Sequence, residues 1–406
     1  MNAGIDWHPE DPATLADPYP LFERMRDEDP CHWSPRLKGW VLTRYDDVKS
    51  VCLDPERLSS NRLRPFFATL PADASQRIAE IARYLSRWMV FNDAPDHTRL
   101  RRLTGRVFHA RSMQAMRPQA EAIADWLLER IGERDAFDFI AEFAGPLPCL
   151  VIMAMLGAPR EDLALLKRLS DDMALFVGSS RTSPEKYDAA EAATRAMAAY
   201  FRRLIALRRA APARDLLSEL VHLEENGDRL SEDELVASCL LLLFAGHETT
   251  TNLIANGLYS LLRFPGEMRA LRRDPGLAAA AVEELLRHEG PLSAQVRAVT
   301  EAHAMHGKEL AQGDRVFVLL NAANRDPRAY PDPDRLDLRR DGVPHLAFGW
   351  GMHICLGFPL ARTEGAVAFP AVLKRFAEIE PRAVPCWIDS LVFRGMQALP
   401  LRVRHA

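Results

Sequence analysis

Apolar residues recur every three or four positions along most of the chain, the spacing of one helix face. The stretches 116–133, 161–177 and 186–209 show it and predict amphipathic helices. The strongest signal runs over 230–266. There Ser231 and Glu234 have the spacing of a capping box, and Pro265-Gly266 closes the pattern. Such a helix would be about 45–50 Å long. Its middle is apolar nearly all round, so it is expected to be buried. Alternating patterns are rarer. Strands are predicted within 39–48 and 302–323, the latter with glycine turns. The turn-rich stretch 323–345 lies between core-like neighbours and reads as an ordered meander. The pattern predicts a mainly α chain with a small, largely antiparallel β region. It is expected to form one large domain over residues 1–406, with 1–14 a loose N-terminal segment.

Composition narrows this picture by exclusion. The chain has 406 residues, enough to bury a large core, and a net charge of −4. No global positive field points to nucleic acid. The longest apolar run, 235–246, is about half of a bilayer span. No basic segment followed by an apolar one opens the sequence. A soluble, cytoplasmic protein without a membrane segment is expected, acting as a monomer. The six cysteines are irregularly spaced and contain no C-x-x-C pair. That argues against a disulfide framework, and most of them read as small buried hydrophobes.

Cys355 stands apart. It lies in "FGWGMHICLG" (348–357) with Gly349, Gly351 and Gly357 around it. The glycines permit tight turns or close approach of the backbone to a bulky group. The following stretch predicts a helix with Pro359 in its first turn. Free N–H groups and the positive end of the helix dipole would then stabilise a thiolate at Cys355. A thiolate there suits a nucleophile or a metal ligand. A buried structural cysteine is the plainer alternative. Zinc held by His345, His353 and Cys355 lacks the paired ligand spacing of structural sites. A nucleophile would need a general base that spacing alone does not identify.

The segment "FGWGMHICLGFPLAR" (348–362) resembles the haem-binding signature of the cytochromes P-450, F-G-x-G-x-H/R-x-C-x-G-x-x-L-A-R, with every fixed position filled. The resemblance implies a cytochrome P-450 fold with haem b (iron protoporphyrin IX) between the long central helix and the cysteine-loop helix. It implies that Cys355 is the axial thiolate ligand of the iron. Phe348 and Gly349 would then shape the loop beside the ligand, Gly357 would let the helix approach the porphyrin, and His353 would reach a propionate.

Other segments fit the same family. "AGHETT" (245–250) resembles its oxygen-activation motif. Ala245 and Gly246 would leave room for oxygen, and Glu248 and Thr249 would be the acid–alcohol pair that delivers protons. A zinc-protease reading fails, because H-E-x-x-H needs histidine where the chain has Thr251. Glu284 and Arg287 match the family's E-x-x-R, and Arg335 in "PDRL" resembles the third member of that network. His97, Arg101 and Arg297 would join His353 on the haem propionates.

The implied activity is monooxygenation. One atom of O2 enters a small apolar substrate, by hydroxylation or epoxidation. Electrons come ultimately from NAD(P)H, through a separate ferredoxin and ferredoxin reductase. The basic run 97–111 is the expected docking face for the ferredoxin. Rival readings are a peroxide-driven or non-redox haem enzyme and a non-catalytic haem protein of the same fold. By position, the family's variable pocket regions fall at 59–85, 175–187, 292–296 and 390–394. They supply Phe66, Phe67, Leu70, Leu85, Ser293, Ala294, Val296, Leu391 and Val392 as candidate substrate contacts.

Overall fold

A computed structural model of the chain describes residues 5, 7–177, 184–224 and 227–406. The helices that frame its interior are α1 (Asp96–Val107), α2 (Pro146–Met155), α3 (Leu163–Val177), α4 (Pro184–Ala210), α5 (Glu232–Arg263), α6 (Ala278–His288) and α7 (Phe358–Arg375). α5 is the long central helix the pattern predicts. The Glu234 N–H donates to Ser231 Oγ at 3.3 Å, and the Ser231 N–H donates to the Glu234 carboxylate at 2.8 Å. The helix stops at Phe264, and Pro265 opens the next one, Pro265–Arg273. α2, α3, α4, α6 and α7 all pack against α5, which is buried almost without interruption from Leu235 to Phe244 and from Thr250 to Leu258. Gly257 permits a close approach of α7: a Cβ there would stand 2.4 Å from the Phe369 ring. Among the described residues, no helix is long and apolar enough to cross a membrane.

The strands are β1 (Cys31–Ser34), β2 (Gly39–Leu42), β3 (Leu58–Ser59), β4 (Ala136–Asp138), β5 (Ala294–Val299), β6 (His303–Met305), β7 (Lys308–Leu310), β8 (Arg315–Leu319), β9 (Phe376–Pro381) and β10 (Pro400–His405). They form a five-stranded sheet in the order β1-β2-β8-β5-β3, a three-stranded sheet β4-β10-β9 and the β6-β7 hairpin. Only the β2–β8 pair is parallel. This is the mainly α architecture with a small antiparallel β region that the sequence predicts.

Three local expectations change. The strand expected over 39–48 ends at Leu42, and residues 45–53 are helical. The Tyr45 N–H donates to Asp326 Oδ2 at 2.9 Å, so a residue far along the chain caps that helix. The strand expected to reach residue 323 stops at Leu319, and Leu320–Ala323 form a helical turn. The N-terminal segment expected to be loose is anchored over much of its described part. Trp7 is buried against Phe22, and Pro12–Ala16 form a helical turn capped by Asp11.

The meander 323–345 is held by a buried ion pair. Arg287 donates to both Glu284 oxygens at 2.7 Å, and both residues are buried. The same guanidinium donates to the carbonyls of Asn324, Pro333 and Arg335 at 2.8–3.1 Å. The expected third member, Arg335, gives only that carbonyl: its side chain points to solvent and its nearest carboxylate is Asp337, 3.8 Å away. Arg340 takes the place instead, donating through Nε to Glu284 at 3.1 Å. Arg340 also donates to the carbonyls of Pro331, Asp332 and Arg335. Arg340→Ala, which removes these charged hydrogen bonds, is expected to lower stability by about 2–3 kcal/mol, and Arg335→Ala by no more than about 0.5 kcal/mol. Urea unfolding of the two variants checks the assignment.

Candidate active site

α5, β5 and the cysteine loop enclose a cavity of about 300 Å³. Cys355 lines it, partly exposed to that space. The sulfur sits three residues before the first helical residue of α7, with Gly357 as the N-cap and Pro359 in the first turn. The loop is set by backbone bonds: the Cys355 N–H donates to Phe348 O and the Gly349 N–H to Leu346 O, both at 2.8 Å. Gly349 and Gly351 have φ near +70°, a region costly for residues with a Cβ. A Cβ on Gly351 would also lie 2.5 Å from the Cys52 carbonyl oxygen. Gly357 has ordinary φ, and a Cβ there would meet nothing nearer than the Cys355 sulfur at 4.0 Å, so this glycine keeps the space beside the sulfur open.

Outside the loop, Phe348 packs against Phe358, and the Arg362 guanidinium lies about 5 Å from both rings. Arg362 is gripped by Glu283 through two bonds of 2.6 and 2.7 Å. Burial works to raise the Glu283 carboxyl, but His345 and Arg362 hold it down at about 2. At Cys355 itself, burial pushes the thiol up. The N–H groups of Gly357 and Phe358 and the charges of Arg101 and Arg362 pull the other way.

Basic side chains gather at one part of the wall. Arg101 from α1, Arg297 from β5 and His353 from the loop all line the cavity, as does Arg62, which no sequence motif marked. His97 is buried behind His353, with ring centroids 4.2 Å apart. Neither His97 nitrogen has a hydrogen-bond partner, nor does His353 Nε2. Burial and the neighbouring His97, Arg297 and Arg101 push His353 down to about 3. Burial and the charges of Arg297 and Arg315 bring Arg62 down to about 10. Arg297 is buried, and buried imidazole nitrogens left without partners are costly. This arrangement calls for an anionic partner on the cavity side.

α5 supplies the opposite kind of surface. Ala245, Gly246, Thr249 and Thr250 line the cavity. A Cβ on Gly246 would press on Ile152 of α2 at 3.1 Å, so this glycine also serves helix packing. Thr249 Oγ1 donates to the Ala245 carbonyl at 2.9 Å. Glu248 is not on the cavity wall. Its carboxylate turns toward His247, 3.9 Å from Nε2. The carboxylate that does line the cavity is Glu364 of α7, which sequence reasoning missed. It is fully buried, neither oxygen has a strong partner, and burial pushes its carboxyl well up against a weaker pull from Thr250.

The expected substrate contacts divide. Ala294, Val296 and Val392 line the cavity, joined by Leu241, Leu242 and Phe393. Ser293 and Leu391 instead line a separate, smaller cavity beside Trp7 and Pro18. Leu85 is fully buried in the core. Phe66, Phe67 and Leu70 lie away from the cavity wall; Phe66 is exposed, and Phe67 stacks on Phe176. Part of the expected region 175–187 falls outside the described residues. The basic run 97–111 is also partly spent internally. Arg99 pairs with Asp228 and Glu234, Arg102 pairs with Asp228, and Arg101 faces the cavity.

The family model described as Cytochrome P450 matches residues 38–275 and 276–392. The chain is 41% identical over 401 residues to "Cytochrome P450 107B1" of Saccharopolyspora erythraea, covering 97% of this chain and 96% of that protein. It is 40% identical to the "Vitamin D(3) 25-hydroxylase" of Pseudonocardia autotrophica, covering 95% and 93%. Among solved structures, the myxobacterial cytochrome P450 CYP267B1 in complex with myristic acid is 39% identical. It superposes with a TM-score of 0.88 over 98% of this chain and 99% of that one.

Glu364 carries a pH signature. In the unfolded chain its carboxyl titrates near 4.3; in the fold it titrates well above that. Above the lower value the folded state keeps a proton that the unfolded state has lost. Stability therefore falls with rising pH, by about 1.4 kcal/mol per unit, until the folded carboxyl ionises. Glu364→Gln removes this dependence. Its thermal midpoint is expected to gain on wild type between pH 5 and pH 8, and a constant difference would show that Glu364 is not held neutral.

Proposed function

Because the chain belongs to the cytochrome P450 family of haem-containing monooxygenases, we propose that haem b occupies this cavity with Cys355 as its thiolate ligand. One observation carries the reading. Cys355 opens onto a space walled by Arg62, Arg101, Arg297 and His353, while the lining carboxylate, Glu364, is driven toward its neutral form. That donor set suits a flat apolar group bearing two carboxylates. Arg62, Arg101, Arg297 and the His97–His353 pair would hold the propionates. The N–H groups of Gly357 and Phe358 would bond the sulfur and temper its charge. Gly357 would leave the macrocycle room against the start of α7.

Bound there, thiolate-ligated haem supplies the activation of O2. The chain's residues control water, protons and substrate. Leu241, Leu242, Val296, Val392 and Phe393 exclude water and fit an apolar ligand. Thr249 presents its hydroxyl oxygen to the cavity, and Glu248, one residue before it, turns its carboxylate to the His247 side of α5. Rotation of the Glu248 side chain would let it relay a proton inward through the threonine. Electrons come from NAD(P)H through a separate ferredoxin pair, and residues 1–406 act as one haem domain. The substrate is a small apolar organic molecule, in keeping with relatives whose names specify vitamin D(3) hydroxylation and a bound fatty acid.

The carbon monoxide difference spectrum of the dithionite-reduced protein tests the ligand. Wild type is expected to give the strongly red-shifted Soret band of thiolate ligation, and Cys355→Ala to lose it while keeping its helical circular dichroism. Retention of the band in the variant would refute the assignment. Thr249→Ala is expected to bind substrate with unchanged spectral shifts. It should release peroxide in place of product, with coupling of NADH to product down about tenfold or more. Unchanged coupling would remove Thr249 from the proton path.

A further inference from the structure

On the outer side of α5, away from the cavity wall, His247 lies between two carboxylates. It is 1% exposed. Its Nδ1–H donates to the Leu243 carbonyl at 2.9 Å, which fixes the tautomer and leaves the Nε2 lone pair pointing outward. Nε2 has no hydrogen-bond partner. It faces Asp171 Oδ1 of α3 at 3.9 Å and Glu248 Oε2 at 3.9 Å. All three ligand atoms lie within 4.8 Å of one another. Three lone-pair donors converge with no positive charge at their centre. A histidine that binds a metal ion almost always donates its other ring N–H in this way.

We propose that Asp171, His247 and Glu248 form a divalent-cation site of the zinc type, and that filling it withdraws Glu248 from proton delivery. One imidazole and two carboxylates, with a water completing the shell, match the ligand preferences of zinc. Tetrahedral ligands about 2.1 Å from the ion stand about 3.4 Å apart, so rotation of the two carboxylate side chains closes the site. Access is from solvent, because the Asp171 side chain is 45% exposed. The competitor is Lys167, whose ammonium bonds Asp171 Oδ2 at 2.7 Å. It uses the oxygen that does not face His247. Cys149 of α2 lies near the same two charges, and burial pushes its thiol up to about 12, so it is no rival ligand.

The binding claim stands on these atoms alone; the functional consequence rests on Glu248 acting as proposed above. Calorimetric titration of the haem-loaded enzyme with ZnCl2 tests the first. One saturable equivalent is expected. Asp171→Asn and His247→Gln should each weaken it at least tenfold, and Lys167→Met should tighten it. Asp171 is exposed, so its variant tests the site without disturbing the core. Absence of saturable heat, or binding that Asp171→Asn leaves unchanged, would overturn the site. The second claim is read from NADH oxidation through a ferredoxin pair. Zinc should slow wild type and spare Asp171→Asn. Stoichiometric binding without inhibition would keep the site and overturn the part assigned to Glu248.

Discussion

The buried pair of Glu284 and Arg287 is the interaction on which the cysteine loop depends. The meander 323–345 has almost no backbone ladder of its own, and it leads directly into that loop. Its carbonyls turn inward to one guanidinium, and its Asp337 N–H donates to Glu284 at 3.0 Å. Arg340 closes the ring from the meander's far end. Asn324 adds a direct link, its side-chain oxygen accepting from the Leu346 N–H at 2.7 Å, two residues before Phe348. A helix face thus sets the position of a segment that helix propensity could never order. The desolvation of two charges is tolerable because nearly every donor and acceptor is satisfied.

A second constraint is the seating of the cavity walls. α5 is wedged among its neighbouring helices, Gly257 lets α7 seat against it, and the Gly351 turn rests on the Cys52 carbonyl of the helix Tyr45–Leu53. That helix is in turn capped by Asp326 from the start of the meander. The loop that presents Cys355 is therefore braced from two directions by the same stretch of chain.

What the sequence made legible was local. The capping box of α5, its stop before Pro265, the glycines around Cys355 and the proline opening α7 are all readable within a few residues. What escaped depended on distant partners. No short-range signal shows that Asp326 caps residues 45–53, or that Arg340 rather than Arg335 reaches Glu284. Arg62 sits in no motif, and its role appears only when β5 brings Arg297 beside it. Ser293 and Leu391 belong to segments that border the main cavity, but their own side chains line the smaller one beside Trp7. Glu364 was hidden differently: its place on α7 was readable, but its lack of partners is a property of the packed interior.

Thr249 has a consequence of its own. A hydroxyl has one hydrogen, and this one is committed to the Ala245 carbonyl of the same helix. Only lone pairs are then turned toward the cavity, so in this rotamer the threonine is a listener: it can receive a hydrogen bond but cannot offer one. Offering one means turning the Cα–Cβ or C–O bond and forfeiting an internal bond worth about 1 kcal/mol. That is small enough to be crossed at every encounter and large enough to set a resting posture. The side chain behaves as a rotor with two stops, and whatever enters the cavity chooses between them by whether it comes as a donor or an acceptor.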